Sequence, residues 1–183
     1  GGALMKRYNE QTINIYAGRP GAGKTHWAKK EICNLLIDPN NMVAYIGHSE
    51  MNPKLAEESA NLPGKLYMSD DLHAAQAIGV AIDAANMDRA MFPERDESEI
   101  AQRNHRQVFI FFDQCRQLIS SGHRDLLVAA AKAGVSVNVL CQVFHQVDKG
   151  DLKWLAENCT CNIISKGRAP RLAATKEMEE IYR

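Results

Sequence analysis

The residues of this 183-residue chain best suited to chemistry are Gly18-Arg19-Pro20-Gly21-Ala22-Gly23-Lys24-Thr25. They fit G-x-x-x-x-G-K-[ST], a spacing that suits a polyphosphate ligand. Such a ligand needs many hydrogen-bond donors converging on one point. Gly18, Gly21 and Gly23 let the backbone curl until its N–H groups face inward. A helix leaving the loop would add unpaired N–H groups and a partial positive charge. Lys24 is then expected to reach the β- and γ-phosphates of ATP, and the Thr25 hydroxyl to bind Mg²⁺. Pro20 removes one N–H and stiffens the loop. Ala22 and His26 complete the residues expected beside the nucleotide.

Three further polar residues belong with this loop by position. Residues 108–112, Val-Phe-Ile-Phe-Phe, form a continuous apolar run of the kind found in a fully buried parallel strand. Asp113 closes the run in the Walker B manner and would hold Mg²⁺, usually through water. The competing reading is a structural acid at a strand end. Glu50 and Gln142 also fall just past predicted strands. Ligands of parallel α/β sheets bind at the C-terminal ends of the strands. Gly18, Glu50, Asp113 and Gln142 all satisfy that rule, which argues for one site.

The elements that must position these residues are legible as alternating patterns. Residues 12–17 read as a strand running into the glycine-rich loop. Residues 25–37 read as an amphipathic helix leaving it, with Ala28, Ile32, Leu35 and Leu36 at helical spacing. Residues 42–46 read as a second strand. Asn52 is expected to cap a helix with Pro53 at its first position. Leu62-Pro63-Gly64 is expected to end that helix, and 65–68 to form a short strand. Ser69 is expected to cap the next helix, with Asp70 and Asp71 complementing its dipole and Leu72, Ala75, Ile78, Ile82 and Ala85 as its apolar face.

Residues 92–106 are strongly charged and nearly devoid of apolar content, which fits a solvated surface insertion or a partner-facing one. A helix over 123–133 is expected to bury Leu126, Leu127, Ala130 and Ala131 and to end at Gly134. Residues 135–143 read as a buried strand, 145–150 as a loop, a short helix begins at Asp151, and 161–165 read as a last strand. Lys166, Arg168 and Arg171 lie in a basic turn. It reads as solvated or as a finger reaching a neighbour's γ-phosphate. Residues 175–183 read as a helix that stops abruptly, as in a truncated chain. The whole is expected to be one α/β domain over 1–183, with a mostly parallel central sheet between helices. Residues 1–5 are expected to include a vector-derived leader, with Met5 the natural start.

Bulk composition narrows the class. A hydrophobic fraction of 45% and a charged fraction of 24% are ordinary for a globular protein with a real core. No apolar run approaches the roughly 20 residues of a membrane helix, and no signal peptide is evident. Five cysteines, an odd number, point to a reducing cytoplasm. Cys159-Thr160-Cys161 lacks a second pair at zinc spacing. A formal net charge of +0 counts against gripping DNA by bulk electrostatics.

Taken together, these residues resemble the RecA-like P-loop ATPases, above all the ATPase core of replicative hexameric helicases and small plasmid or phage accessory ATPases. The likeness spans about 13–165. Ser49-Glu50-Met51 is similar to the family's element after the second strand, which implies that Glu50 activates the attacking water. Asp113-Gln114-Cys115-Arg116-Gln117-Leu118-Ile119 resembles its Walker B segment and continuation. Residues 132–144 resemble its strand ending in Ser-Gln, which implies that Gln142 senses the γ-phosphate. The same two residues also read as an ordinary loop acid and as a strand-end hydrogen-bond partner. Gln114 departs from the glutamate that AAA-type and FtsK/HerA-type motors carry there.

Three functions follow. The first is an oligomeric ATPase serving a DNA transaction, with a homo-oligomer, DNA or a DNA-bound protein as partner. The second is an ATP-controlled switch in plasmid stability or partition; Arg19 stands where partition ATPases carry a signature lysine. The third is a small-molecule kinase with a lid drawn from Arg89, Arg95, Arg103 and Arg106. The long strand before Asp113 and Gln142 speak against it.

Overall fold

A computed structural model describes residues 13–47, 50–70, 73–91, 107–113, 124–142 and 149–174. In chain order these form β1 (Ile13–Ala17), α1 (Lys24–Leu35), β2 (Asn41–Gly47), α2 (Met51–Ser59), β3 (Lys65–Asp70), α3 (Ala74–Met91), β4 (Gln107–Asp113), α4 (Arg124–Lys132), β5 (Ser136–Cys141), α5 (Lys149–Asn158), β6 (Thr160–Ile163) and β7 (Arg171–Leu172). The strands make one sheet in the order β3-β2-β4-β5-β1-β6-β7. Every pairing is parallel except β6 with β7, which is antiparallel. The expected α/β class with a mostly parallel sheet is therefore the one observed.

The sheet separates two apolar layers. On one face Ala28, Ile32 and Leu35 of α1 and Leu55 of α2 pack on Tyr16, Val43, Tyr45, Phe109, Phe111 and Leu140. On the other, Ala77, Ile78, Ala81 and Ala85 of α3, Leu127, Ala130 and Ala131 of α4 and Leu155 of α5 cover Ile15, Ile46, Ile110, Phe112, Val137 and Val139. Burial on both faces explains why β4 and β5 read as continuous rather than alternating apolar runs. Among the described residues, no helix is long and apolar enough to cross a membrane.

Several local expectations are corrected. Ser69 does not cap a helix, because β3 continues to Asp70 and pairs with β2 as far as Gly47↔Asp70. The ladder's hydrogen bonds outweigh the local cap signal, and α3 starts at Ala74. Its buried stripe is accordingly Ala74, Ala77, Ile78, Ala81 and Ala85, while Ala75 is exposed. Asn52 is not a cap either. α2 starts at Met51 with Glu50 at the N-cap, so Asn52 and Pro53 sit in the first turn. The first four N–H groups of a helix are unpaired, so Pro53 removes no helical bond there.

Gly64 does not end α2, which stops at Ser59. It docks on α1 instead. Its N–H donates to the Leu36 carbonyl at 2.7 Å, and a Cβ at Gly64 would fall 2.8 Å from Leu36 Cα. Asn41, buried at the start of β2, donates through Nδ2 to the Leu35 carbonyl at 2.8 Å. Together they occupy carbonyls that the end of α1 leaves unpaired.

α5 begins at Lys149 rather than at Asp151. The expected last strand is Thr160–Ile163, and the basic turn is the connection of a hairpin that places Arg171 in β7. Gly134, in the left-handed region at φ 90°, closes α4 as expected. Thr12, His48, Ser49, Asp71, Leu72, the charged segment 92–106, the continuation 114–123, residues 143–148 and the terminal helix 175–183 lie outside the described residues.

Candidate functional site

The glycine-rich loop leaves the sheet at the end of β1, which is flanked by β5 and β6. Both neighbours hold it. The Gly18 N–H donates to the Cys141 carbonyl of β5 at 3.1 Å, and the Ile164 N–H beyond β6 donates to the Ala17 carbonyl at 2.8 Å. Gly18 fits closely: a Cβ there would stand 3.0 Å from the Ile164 carbonyl oxygen and 3.1 Å from Lys24 Cγ. The loop then turns tightly, the Ala22 N–H donating to the Arg19 carbonyl at 2.9 Å. Gly21 and Gly23 adopt φ 83° and 92°, conformations that side chains resist.

Gly23 is the N-cap of α1. It supplies no side-chain cap, and the first turn carries no acidic residue. The helix therefore brings no anion of its own to its N-terminal N–H groups and dipole, which suits a phosphate. The Trp27 N–H closes the first turn on the Gly23 carbonyl at 2.9 Å. Trp27 itself packs on Tyr16 with the rings tilted by 39° and 4.3 Å between centroids, and ties α1 to β1.

Lys24 and Thr25 open α1 on the side of the sheet shared with β4. The Lys24 ammonium is buried and donates to the Gly18 carbonyl and, at 3.5 Å, to the Arg19 carbonyl. Burial pushes it below the usual lysine range, while the Asp113 carboxylate opposes that shift. The Thr25 hydroxyl donates to Asp113 Oδ2 at 3.0 Å. Asp113, at the end of β4, is 1% exposed. Thr25 and Asp113 together present hydroxyl and carboxylate oxygens, the hard donors that Mg²⁺ prefers.

Lys24, Thr25 and Asp113 are thus brought together as expected. Gln142 is half-buried and follows Cys141, whose carbonyl anchors Gly18, so it stands beside the loop. Glu50 is exposed at the start of α2, three residues beyond Gly47. Gly47 touches Asp113: a Cβ there would lie 2.8 Å from Asp113 Cβ. His26 is exposed on α1. Cys141 lies beneath the loop, and burial pushes its thiol up to about 12, so it is neutral and unsuited to act as a nucleophile.

Two residues at the site escaped the sequence reading. Tyr45 donates its hydroxyl to Asp113 Oδ2 at 2.8 Å, and Gly47 abuts the same aspartate. The available signal was Tyr45-Ile46-Gly47 itself, a polar aromatic and a glycine closing an otherwise apolar strand.

The lowered Lys24 pKa carries a sign. A phosphate beside the ammonium favours its protonated form and raises its pKa in the complex. If a nucleotide binds here, its affinity should be full below the free-state pKa and fall as pH rises through it, before the ordinary lysine value of 10.5. Titrating a nucleotide from neutral to alkaline pH should show this decline. Lys24→Arg, which does not titrate in that range, should abolish it.

No protein-family model matches the chain, and no curated protein matches it. Among solved structures, it is similar to the genome packaging NTPase B204 from Sulfolobus turreted icosahedral virus 2 in complex with AMPPCP. The identity is 14%, with 81% of this chain and 82% of that chain covered, at a TM-score of 0.41.

Proposed function

We propose that this chain is a cytoplasmic Mg²⁺-dependent P-loop ATPase serving a DNA transaction such as plasmid or phage maintenance, transfer or packaging. The convergence of Lys24, Thr25 and Asp113 at the glycine-rich mouth of β1 carries the reading. Loop N–H groups and Lys24 bind the phosphates. Thr25 and Asp113 would hold Mg²⁺, which when bound neutralises charge on the β- and γ-phosphates. Glu50, at the mouth of the same sheet edge, orients the attacking water, and Gln142 contacts the γ-phosphate from β5. Loop backbone at Gly18, Gly21, Ala22 and Gly23 and the His26 side chain line the nucleotide. The DNA assignment rests on the motif resemblance around Glu50, Asp113 and Gln142, and a homo-oligomer is the form in which a basic hairpin residue could reach a neighbour's nucleotide.

A second reading, a nucleotide-controlled switch with slow hydrolysis, is favoured by two observations. Glu50 is exposed rather than held by the cluster, and Gln114 supplies no acid directly after Asp113. Measuring ATP turnover alone and with single- or double-stranded DNA separates the two. The ATPase reading expects DNA-stimulated turnover that Glu50→Gln lowers roughly 100-fold, the scale of losing a general base. Nucleotide binding with negligible turnover, indifferent to Glu50→Gln and to DNA, would establish the switch instead.

A further inference from the structure

Asp113 Oδ2 accepts from two elements at once: from Thr25 of α1 at 3.0 Å and from Tyr45 of β2 at 2.8 Å. Tyr45 is wholly buried among Val43, Phe109, Phe111 and Leu140. A phenol in such a layer needs a polar partner, and the Tyr45 hydroxyl finds one by donating to Asp113 Oδ2. The register explains how it arrives there. Tyr45 pairs with Phe111, two residues before Asp113 on the same strand face. A diagonal reach of that kind is open to a long aromatic side chain.

Gly47 makes the reach possible. A Cβ at that position would fall 2.8 Å from Asp113 Cβ, 2.9 Å from the Asp113 carbonyl oxygen and 3.2 Å from the Tyr45 hydroxyl. Any side chain would force the carboxylate or the phenol aside. Gly47 has no positive φ to explain its identity, so the close approach does.

We infer that Tyr45 and Gly47 are positioning residues for the cation site: they fix the Asp113 carboxylate in the orientation that meets Thr25. The inference rests on the proposed Mg²⁺-nucleotide reading and adds residues that act through Asp113 without touching the nucleotide. A carboxylate fixed in advance loses no rotamer freedom when the cation arrives, which strengthens binding. Outer-shell hydrogen-bond partners act on metal sites in this way.

The test compares the 183-residue protein with its Tyr45→Phe and Gly47→Ala variants in two titrations. A fluorescent ATP analogue is titrated in EDTA. Mn²⁺ is then titrated into the nucleotide-loaded protein and followed by electron paramagnetic resonance. Tyr45→Phe keeps the buried ring and removes only the hydroxyl. The expected result is unchanged nucleotide affinity in EDTA and Mn²⁺ affinity lowered roughly 10-fold, with Gly47→Ala shifting the same way. Unchanged Mn²⁺ affinity overturns the inference and leaves the nucleotide site standing. Equal weakening in both titrations also overturns it, because that is the mark of general structural damage. A wild-type protein that binds no nucleotide removes the underlying reading and the inference together. Should Tyr45→Phe not fold, the Gly47→Ala titrations decide by the same criteria.

Discussion

Lys24→Ala is expected to lower kcat/KM for ATP by about 10⁴-fold without lowering the thermal stability of the nucleotide-free protein. Two losses multiply. A charge-assisted contact to phosphate is worth up to about 3 kcal/mol, or roughly 100-fold in affinity. A fixed cation facing the charge that develops on the transferring phosphoryl group contributes roughly another 100-fold in rate. Stability behaves differently, because Lys24 is 8% exposed and, without nucleotide, its ammonium leans on the neutral carbonyls of Gly18 and Arg19. Burial already opposes its charge. Removing it relieves a desolvation cost, which offsets the loss of those two hydrogen bonds and of the attraction to Asp113. Steady-state kinetics and a melting curve with and without ATP check both halves. The wild-type protein should be stabilised by ATP and the variant should not. A variant that keeps turnover within about tenfold of the wild type would place hydrolysis elsewhere.

The loop was legible because its chemistry is local. Glycines at 18, 21 and 23, then Lys24 and Thr25, imply a backbone shape and two proposed side-chain roles within eight residues, and φ 83° and 92° at Gly21 and Gly23 bear out the shape. Asp113 was legible from the apolar run before it. Its partners were not, because they are set by register. Tyr45 meets Asp113 only because β2 pairs with β4 at Tyr45↔Phe111, a fact with no trace in the spacing of either strand. The failed caps have the same origin. Ser69 carries a sound local signal, but six consecutive pairings with β2 hold 65–70 extended. Similarly, β7 is two residues long and exists only as the partner of β6. Local propensity cannot announce a strand of that length. Glu50 and Gln142 were legible as strand-end residues. Their roles were supplied by resemblance; the structure shows Glu50 exposed at the start of α2 and Gln142 half-buried after β5.

Asp113 separates a metal-side acid from a structural one, and the contrast between two substitutions tells them apart. Asp113→Asn keeps the shape of the side chain. Its amide oxygen can still accept from Thr25 and Tyr45, which donate to Oδ2 at 3.0 and 2.8 Å. The fold should therefore survive nearly intact. The negative charge is gone, and with it the preference for a divalent cation. Because such an ion supplies several kcal/mol of stabilisation at a phosphoryl group, turnover should fall by about 10³-fold. Asp113→Ala goes further. It strips the buried Tyr45 hydroxyl of this acceptor and opens a cavity at a position only 1% exposed. The cost is about 2–4 kcal/mol of stability, read as a lower denaturant midpoint. If Asp113 merely finishes a buried strand, the pattern changes. Asparagine would then leave turnover and its Mg²⁺ dependence near the wild-type values, and alanine would act through stability alone. A large rate loss in the asparagine variant at wild-type stability points to the lost carboxylate oxygen and its charge, because shape and burial are kept.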